Sequence, residues 1–323
     1  MDYSSWIPQI PLPAEGMKST IELTPQMAKM LIDAQDHFHK KKALRLDPFI
    51  LTRAQRFENG FPVRKGCQVY VQPNEFQMGQ ELFYTEFDNT RICTRCQQTF
   101  YVESDGYQPT ADHPICIDSE GGYNFHIHTQ LPVEHLKTFK KADKVDEYNR
   151  RMTGRVYALD VESVYTSHGQ EVGRVTVVDD RGEAALDLLV KPKEHIYDYV
   201  TKYSGLTPDF LNYATETLES ARQKILNLIN RESILIGHAL NGDLLKLGIL
   251  HSKVIDTSIL FATSGRRPSL RSLTSIYLNR DIQQSYYGHC SKEDAVACVD
   301  LVNYALRNPT TISEVFQKPN NSL

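Results

Sequence analysis

Five polar residues in the second half of the chain have side chains suited to gripping metal ions and moving a proton: Asp160, Glu162, Asp243, His289 and Asp294. Asp160 and Glu162 stand two apart in an apolar, β-branched run, and a strand's period of two turns both carboxylates to one face. Carboxylates so placed can share a hard cation through oxygen ligands. Asp243 follows the buried-strand signature Ile234-Leu235-Ile236-Gly237 and falls in the first turn of a helix beginning near Asn241. A structural part is open to it there as well, with Asn241 as the cap and Asp243 complementing the helix dipole. His289 precedes the last long helix and Asp294 lies in its first turn, where Ser291 and Asp294 have the spacing of a capping box. Each residue taken alone has a structural explanation. Together they form one ordered pattern: a strand-borne Asp-x-Glu, an Asp after strand and turn, then a Gly-His followed five residues later by an Asp at a helix start. An all-oxygen donor set suits magnesium or manganese, and an imidazole that is neutral near pH 7 suits a general base acting on water.

A second cluster has softer ligands. Cys93-x2-Cys96 is followed by His113-x2-Cys116, the spacing of a closed, tetrahedral zinc site. The surrounding segment is polar and irregular, so a bound metal would replace a missing core. His126 and His128 are alternative ligands, and unpaired thiols with a loop histidine are the competing reading. Cys67, Cys290 and Cys298 read as small buried hydrophobes.

The acidic residues need a rigid frame, and the pattern beyond Arg155 supplies one. Strands are expected over 156–161, 171–178 and 185–190, a helix over 218–229, a short buried strand over 234–236, and helices near 241–247, 269–278 and 291–306. This is an α/β rhythm. Upstream, Thr24-Pro25 caps and starts a helix whose apolar residues Met27, Met30, Leu31, Ala34 and Phe38 should pack on the rest of the molecule. Lys40-Lys41-Lys42 reads as a solvated helix end or as part of a nuclear import signal. The organisation is then an N-terminal helical segment (1–50), a small Cys/His zinc module (51–130), a charged connector (131–154), an α/β domain (155–310) and a tail (311–323).

The chain has 323 residues, more than one hydrophobic core usually accommodates. With 41% hydrophobic and 24% charged residues it has the composition of a globular protein, with no run long enough to span a membrane and no signal-peptide pattern at its start. Few cysteines for its length suit a reducing, intracellular compartment. Residues 1–150 carry 17 Lys+Arg against 20 Asp+Glu and residues 151–323 carry 19 against 20, so neither half is basic, which counts against a broad duplex-binding surface. A narrow single-strand site remains compatible with that balance.

At this level the sequence resembles the DEDDh exonucleases of the ribonuclease H-like superfamily, and within them the RNA exonuclease 1-like family. Asp160-Val161-Glu162 looks like the first motif, the segments 234–245 and 288–295 like the second and third, and Ser204-Gly205-Leu206-Thr207 and Val254-Ile255-Asp256-Thr257 like intervening ones. The resemblance is close over 156–306. It implies a mixed five-stranded sheet flanked by helices, two magnesium or manganese ions, and hydrolysis of single-stranded RNA from the 3′ end to nucleoside 5′-monophosphates. It further implies that Asp160 bridges both ions, that Glu162 and Asp294 complete the site of the attacking water, that Asp243 acts through coordinated water, and that the protein is nuclear. The family usually has Cys and Met where this chain has Val161 and Ser163, and the latter position meets the terminal base. The acidic pattern does not separate RNA from DNA, and a non-catalytic RNA- or protein-binding adaptor on the same fold is the other alternative.

Overall fold

The computed structural model describes residues 24–71 except 67, short strand pieces between 90 and 124, residues 137–144, and residues 154–317 except 167, 168, 264, 286 and 287. Helix α1 spans Pro25–Leu46, and the Thr24 hydroxyl accepts from the Met27 N–H at 3.2 Å, as the cap reading expected. Its packing differs from that reading. Met27, Met30, Leu31 and Phe38 are exposed, and the helix instead docks through His39, Ala43 and Leu46 at its other end. Lys42 is no solvated end either: its ammonium is 2.8 Å from Asp180 Oδ2 in a largely buried pair. The early apolar residues do recur at helical spacing, but only the last turns of α1 reach the core.

The connector also contains an element that charge alone does not announce. Lys140–Lys141 form a short strand parallel to Ile249–Leu250, stitching residues before the domain to its far side.

The domain is built on β1 (Val156–Thr166), β2 (Gly169–Asp179), β3 (Ala184–Leu189), α2 (Leu218–Leu228), β4 (Ile234–Gly237), α3 (Leu240–Leu247), β5 (Val254–Asp256) and α4 (Ser291–Arg307). The strands lie in the order β3-β2-β1-β4-β5; β3, β2 and β1 are antiparallel neighbours, while β1, β4 and β5 run parallel. A short sixth strand, Ile196–Asp198, pairs with the end of β1 at Tyr165 and Thr166.

Alternation along β1 decides which helix each side chain meets. Tyr157, Leu159 and Val161 join the core under α2 and α3, whereas Val156 and Ala158 join the core under α4. Asp160 and Glu162 continue the even-numbered series, so they emerge on the α4 side. Both cores are built from fully buried aliphatic side chains, each favouring the folded state by about 1.5–3 kcal/mol relative to exposure. That packing holds the strand under the acids rigid.

Candidate active site

The even face of β1 carries the first two carboxylates, and its partner strand frames them. In the β1–β2 register Asp160 is opposite Thr176 and Glu162 opposite Arg174, with a bulge immediately after Glu162. Arg174 donates twice to Asp187 of β3, at 2.8 and 2.7 Å. Thr176 joins the same network: its hydroxyl contacts Asp187 at 3.1 Å and Ser291 Oγ at 2.6 Å, the latter pair being buried. Ser291 is the first residue of α4. Its side chain therefore ties the helix start to the sheet and forms no capping box; the N-cap is Cys290, which makes no side-chain cap bond and is exposed, unlike buried Cys298. Asp294 is relieved of any capping duty and turns inward.

Asp294 is 4% exposed. Gln283 Nε2 donates to its Oδ2 at 2.9 Å, while Oδ1 is buried without a partner. Gln283 is held for this from both sides, with a left-handed backbone (φ 58°) and an N–H donating to Glu293 at 3.0 Å. His289 is placed by the chain before it. Gly288 (φ +99°) is pressed on the turn after Thr201–Ser204, where a Cβ would sit 2.3 Å from the Thr201 carbonyl oxygen and the Gly205 nitrogen. The His289 N–H donates to Tyr203 O at 2.9 Å, and the two rings meet edge to face. Its Nδ1 lies 3.9 Å from Asp294 Oδ2, too far for a hydrogen bond. Ligand atoms of Glu162, His289 and Asp294 all lie within 4.8 Å of one another.

Asp243 arrives by a different device. Helix α3 starts at Ala239 in a left-handed conformation (φ 55°), not at a capping Asn241. Asp256, fully buried at the end of β5, accepts from the Ala239 and Leu240 N–H groups at 3.1 and 3.0 Å. A carboxylate from another strand thus satisfies the helix end, leaving Asp243 to face the acids with Lys246 at 3.6 Å.

Electrostatics show how crowded the negative charge is. Burial, followed by the charges of Asp243, Glu162 and Asp294, holds the Asp160 carboxyl well above the usual range. Glu162 is pushed up to about 8 by burial and the neighbouring acids. Burial raises Asp243 to about 7, against the pull of Lys246, and Asp294 to about 6, against its bond from Gln283. Burial lowers His289, with Arg271 behind it and Glu293 acting against it, which favours the uncharged imidazole. Asp160, Glu162 and Asp243 all feel the charge of Lys246, and one buried oxygen of Asp294 has no hydrogen-bond partner. These residues fit hard divalent cations with oxygen ligands.

Of the five residues singled out from sequence, Glu162, His289 and Asp294 meet directly, and Asp160 and Asp243 couple electrostatically with the acidic group. The parts played by Gln283, Asp256 and the Arg174–Asp187–Thr176–Ser291 network were not foreseen, although Asp256 and Ser291 lie in segments that resemble the family's. Cys93, Cys96, His113, His126 and His128 lie outside the described residues, and of Cys116 only the strand Cys116–Ile117 is described.

A mixed sheet with acids on its central strand and flanking helices is a ribonuclease H-like α/β fold. Residues 158–302 match the RNase_T family model, described as exonuclease, and form an RNase_T-type domain. The human RNA exonuclease 1 homolog is 32% identical over 304 residues, covering 81% of this chain and 24% of its own length. RNA exonuclease 5 of Bos taurus is 37% identical over 234 residues, covering 71% of this chain and 29% of its own. The chain thus spans less than a third of either relative. The Neurospora crassa Pan2 catalytic unit aligns with a TM-score of 0.47 and 29% identity, over 56% of this chain and 32% of that one.

Proposed function

We propose that the protein is a metal-dependent 3′→5′ exoribonuclease that removes nucleoside 5′-monophosphates from single-stranded RNA. The observation that carries this reading is the meeting of Glu162, His289 and Asp294 within 4.8 Å, in one electrostatic group with Asp160 and Asp243, with one oxygen of Asp294 buried without a partner. The relatives named as RNA exonucleases support RNA as the substrate.

Asp160, Glu162, Asp243 and Asp294 are the residues that would hold magnesium or manganese. When bound, a cation pair lowers the pKa of the attacking water and neutralises charge on the leaving oxygen. His289 accepts the water's proton while the water oxygen bonds to the terminal phosphorus and the bond from phosphorus to the 3′-oxygen breaks. The products are a nucleoside 5′-monophosphate and a chain ending in a new 3′-hydroxyl. Tyr203 and Gly288 keep the imidazole aimed, and Gln283 keeps Asp294 turned into the cleft. In the same reading Cys93, Cys96, His113 and Cys116 hold a structural zinc, and the protein works in the nucleus.

The test uses RNA and DNA oligonucleotides of one sequence, labelled at the 5′ end. A magnesium-dependent ladder that shortens stepwise, faster on RNA, is expected, with no shortening by Asp160→Ala of unchanged circular dichroism. Release of the label at once as a mononucleotide would overturn the polarity. Equal or faster digestion of DNA would overturn the substrate.

A further inference from the structure

At the opposite end of the sheet lies a cavity of about 260 Å³ whose lining includes Arg53, Arg56, Arg64, Lys141, Lys144 and Arg231 and, among the described residues, no carboxylate. In a chain whose halves are both slightly acidic, six cations in one cavity are a local concentration of charge. Four separate pieces bring them together: the short helix Arg53–Glu58, the strand Val63–Lys65, the strand Lys140–Lys141 with the residues after it, and the turn before β4. The capping box between Thr52 and Gln55 fixes the helix, which presents Arg53 and Arg56.

The guanidinium groups are aimed by backbone carbonyls. Arg53 donates to Arg64 O at 3.1 Å, Arg64 to Gly66 O at 3.0 Å, and Arg56 to Ser252 O, while Arg56 Nε is buried without a partner. Carbonyls orient a guanidinium but leave its full charge in place. The carboxylate that approaches Arg231, Glu232, stands 4.0 Å away and is drawn to Lys253 at 2.9 Å. The crowding shows in the buried neighbours: burial and then Arg53 lower Arg56, and burial, with Arg56 and Lys253 behind it, pushes His251 down to about 4.

We propose that this cavity binds a phosphodiester of the same RNA chain whose 3′ end occupies the acidic cleft. Preformed guanidinium forks match phosphate oxygens, and release of counterions favours a polyanion. Arg231 stands before β4 and Ser252 before β5, at the end of the parallel strands away from the acids. The length of β4 alone separates the two sites by roughly 10 Å, at about 3.3 Å per residue. The phosphate held here is therefore upstream of the one being cut. This assignment rests on the exoribonuclease reading.

The experiment measures RNA binding by the purified full chain in chelator, with short (~4-nucleotide) and long (~16-nucleotide) oligomers bracketing the usual single-strand site sizes. Lys141→Ala combined with Arg231→Ala leaves Arg53, Arg56 and their carbonyl bonds intact. The double variant should bind the long oligomer about 10-fold more weakly, with the slope of log affinity against log salt reduced by roughly 0.7 for each phosphate no longer neutralised. The short oligomer should show no comparable change. An unchanged long-oligomer affinity and slope would overturn the proposal, as would an equal loss on both lengths. Loss of inorganic pyrophosphate binding with RNA binding intact would assign the cavity to a free phosphate and overturn it as well. Magnesium-dependent shortening of the oligomer by the unmodified protein is scored separately, so failure of the exonuclease reading is distinguishable from failure of the cavity.

Discussion

Asp294 accepts from Gln283 through one oxygen, while its other oxygen is buried without a hydrogen-bond partner. Its spacing from Ser291 in the sequence suggests a capping box, and the fold resolves the ambiguity by giving Ser291 to Thr176. The carboxylates were legible because their type and spacing are set by the strand period and by helix starts. Gln283 was not, because nothing in an irregular segment signals which amide reaches back to an acid. At His289 burial favours the uncharged imidazole, and the ring is set against Tyr203. His289→Ala should lower turnover by on the order of 10²–10⁴-fold, the usual worth of a general base, while magnesium affinity is retained. Single-turnover rates at saturating magnesium measure this, and a loss that excess metal restores would make the histidine a ligand.

The strands and helices of the domain follow from hydrophobic periodicity, which is why 156–161, 171–178 and 234–236 fall within β1, β2 and β4. What periodicity does not convey is how the helix ends are satisfied. Helix α3 starts at a left-handed Ala239 because Asp256, distant in sequence, accepts its first two N–H groups. Asp256→Ala leaves the Leu240 N–H buried without its acceptor and frees the helix that presents Asp243. It should lower stability by about 2 kcal/mol and reduce activity together with it, as chemical denaturation and turnover read side by side would show. Gly288 faces a steric limit of the same reach. A Cβ there collides with backbone at 2.3 Å, and φ is +99°, so Gly288→Ala should cost about 2 kcal/mol or more and displace His289. Thermal unfolding together with turnover would check it; wild-type values in both would mean that the turn yields. Helix α1 marks where element-level reading failed, since its apolar spacing was genuine but its burial depended on how far the core extends.

Across the whole molecule, negative charge gathers on the β1–α4 side and positive charge on the opposite end of the sheet, although the composition is close to neutral. Averages of charge concealed that division. The order of strands and helices in the RNase_T-like part was readable from its α/β rhythm, whereas the basic cavity depends on contacts between segments far apart in sequence. The raised carboxyls set a pH dependence of fixed sign. Glu162 near 8 and Asp243 near 7 bind more protons folded than unfolded, where their values are 4.5 and 3.8. Stability of the metal-free protein therefore falls as pH rises toward the folded values. His251 acts in the other direction only below its ordinary 6.5. Between pH 6.5 and 8, then, melting in chelator should shift to lower temperature with rising pH, and magnesium should raise it more at the upper end. A flat profile, or a larger magnesium effect at the lower end, would mean that these acids are not its ligands.

The central claim is that the convergent acids form a seat for a pair of hard cations. Calorimetric titration of magnesium into chelator-treated protein at pH near 7.5 tests it most directly. Binding of two ions per chain with release of protons, reduced by Glu162→Gln and by Asp294→Asn, is the predicted result. A protein that takes up no magnesium, or whose uptake ignores both substitutions, would contradict the account.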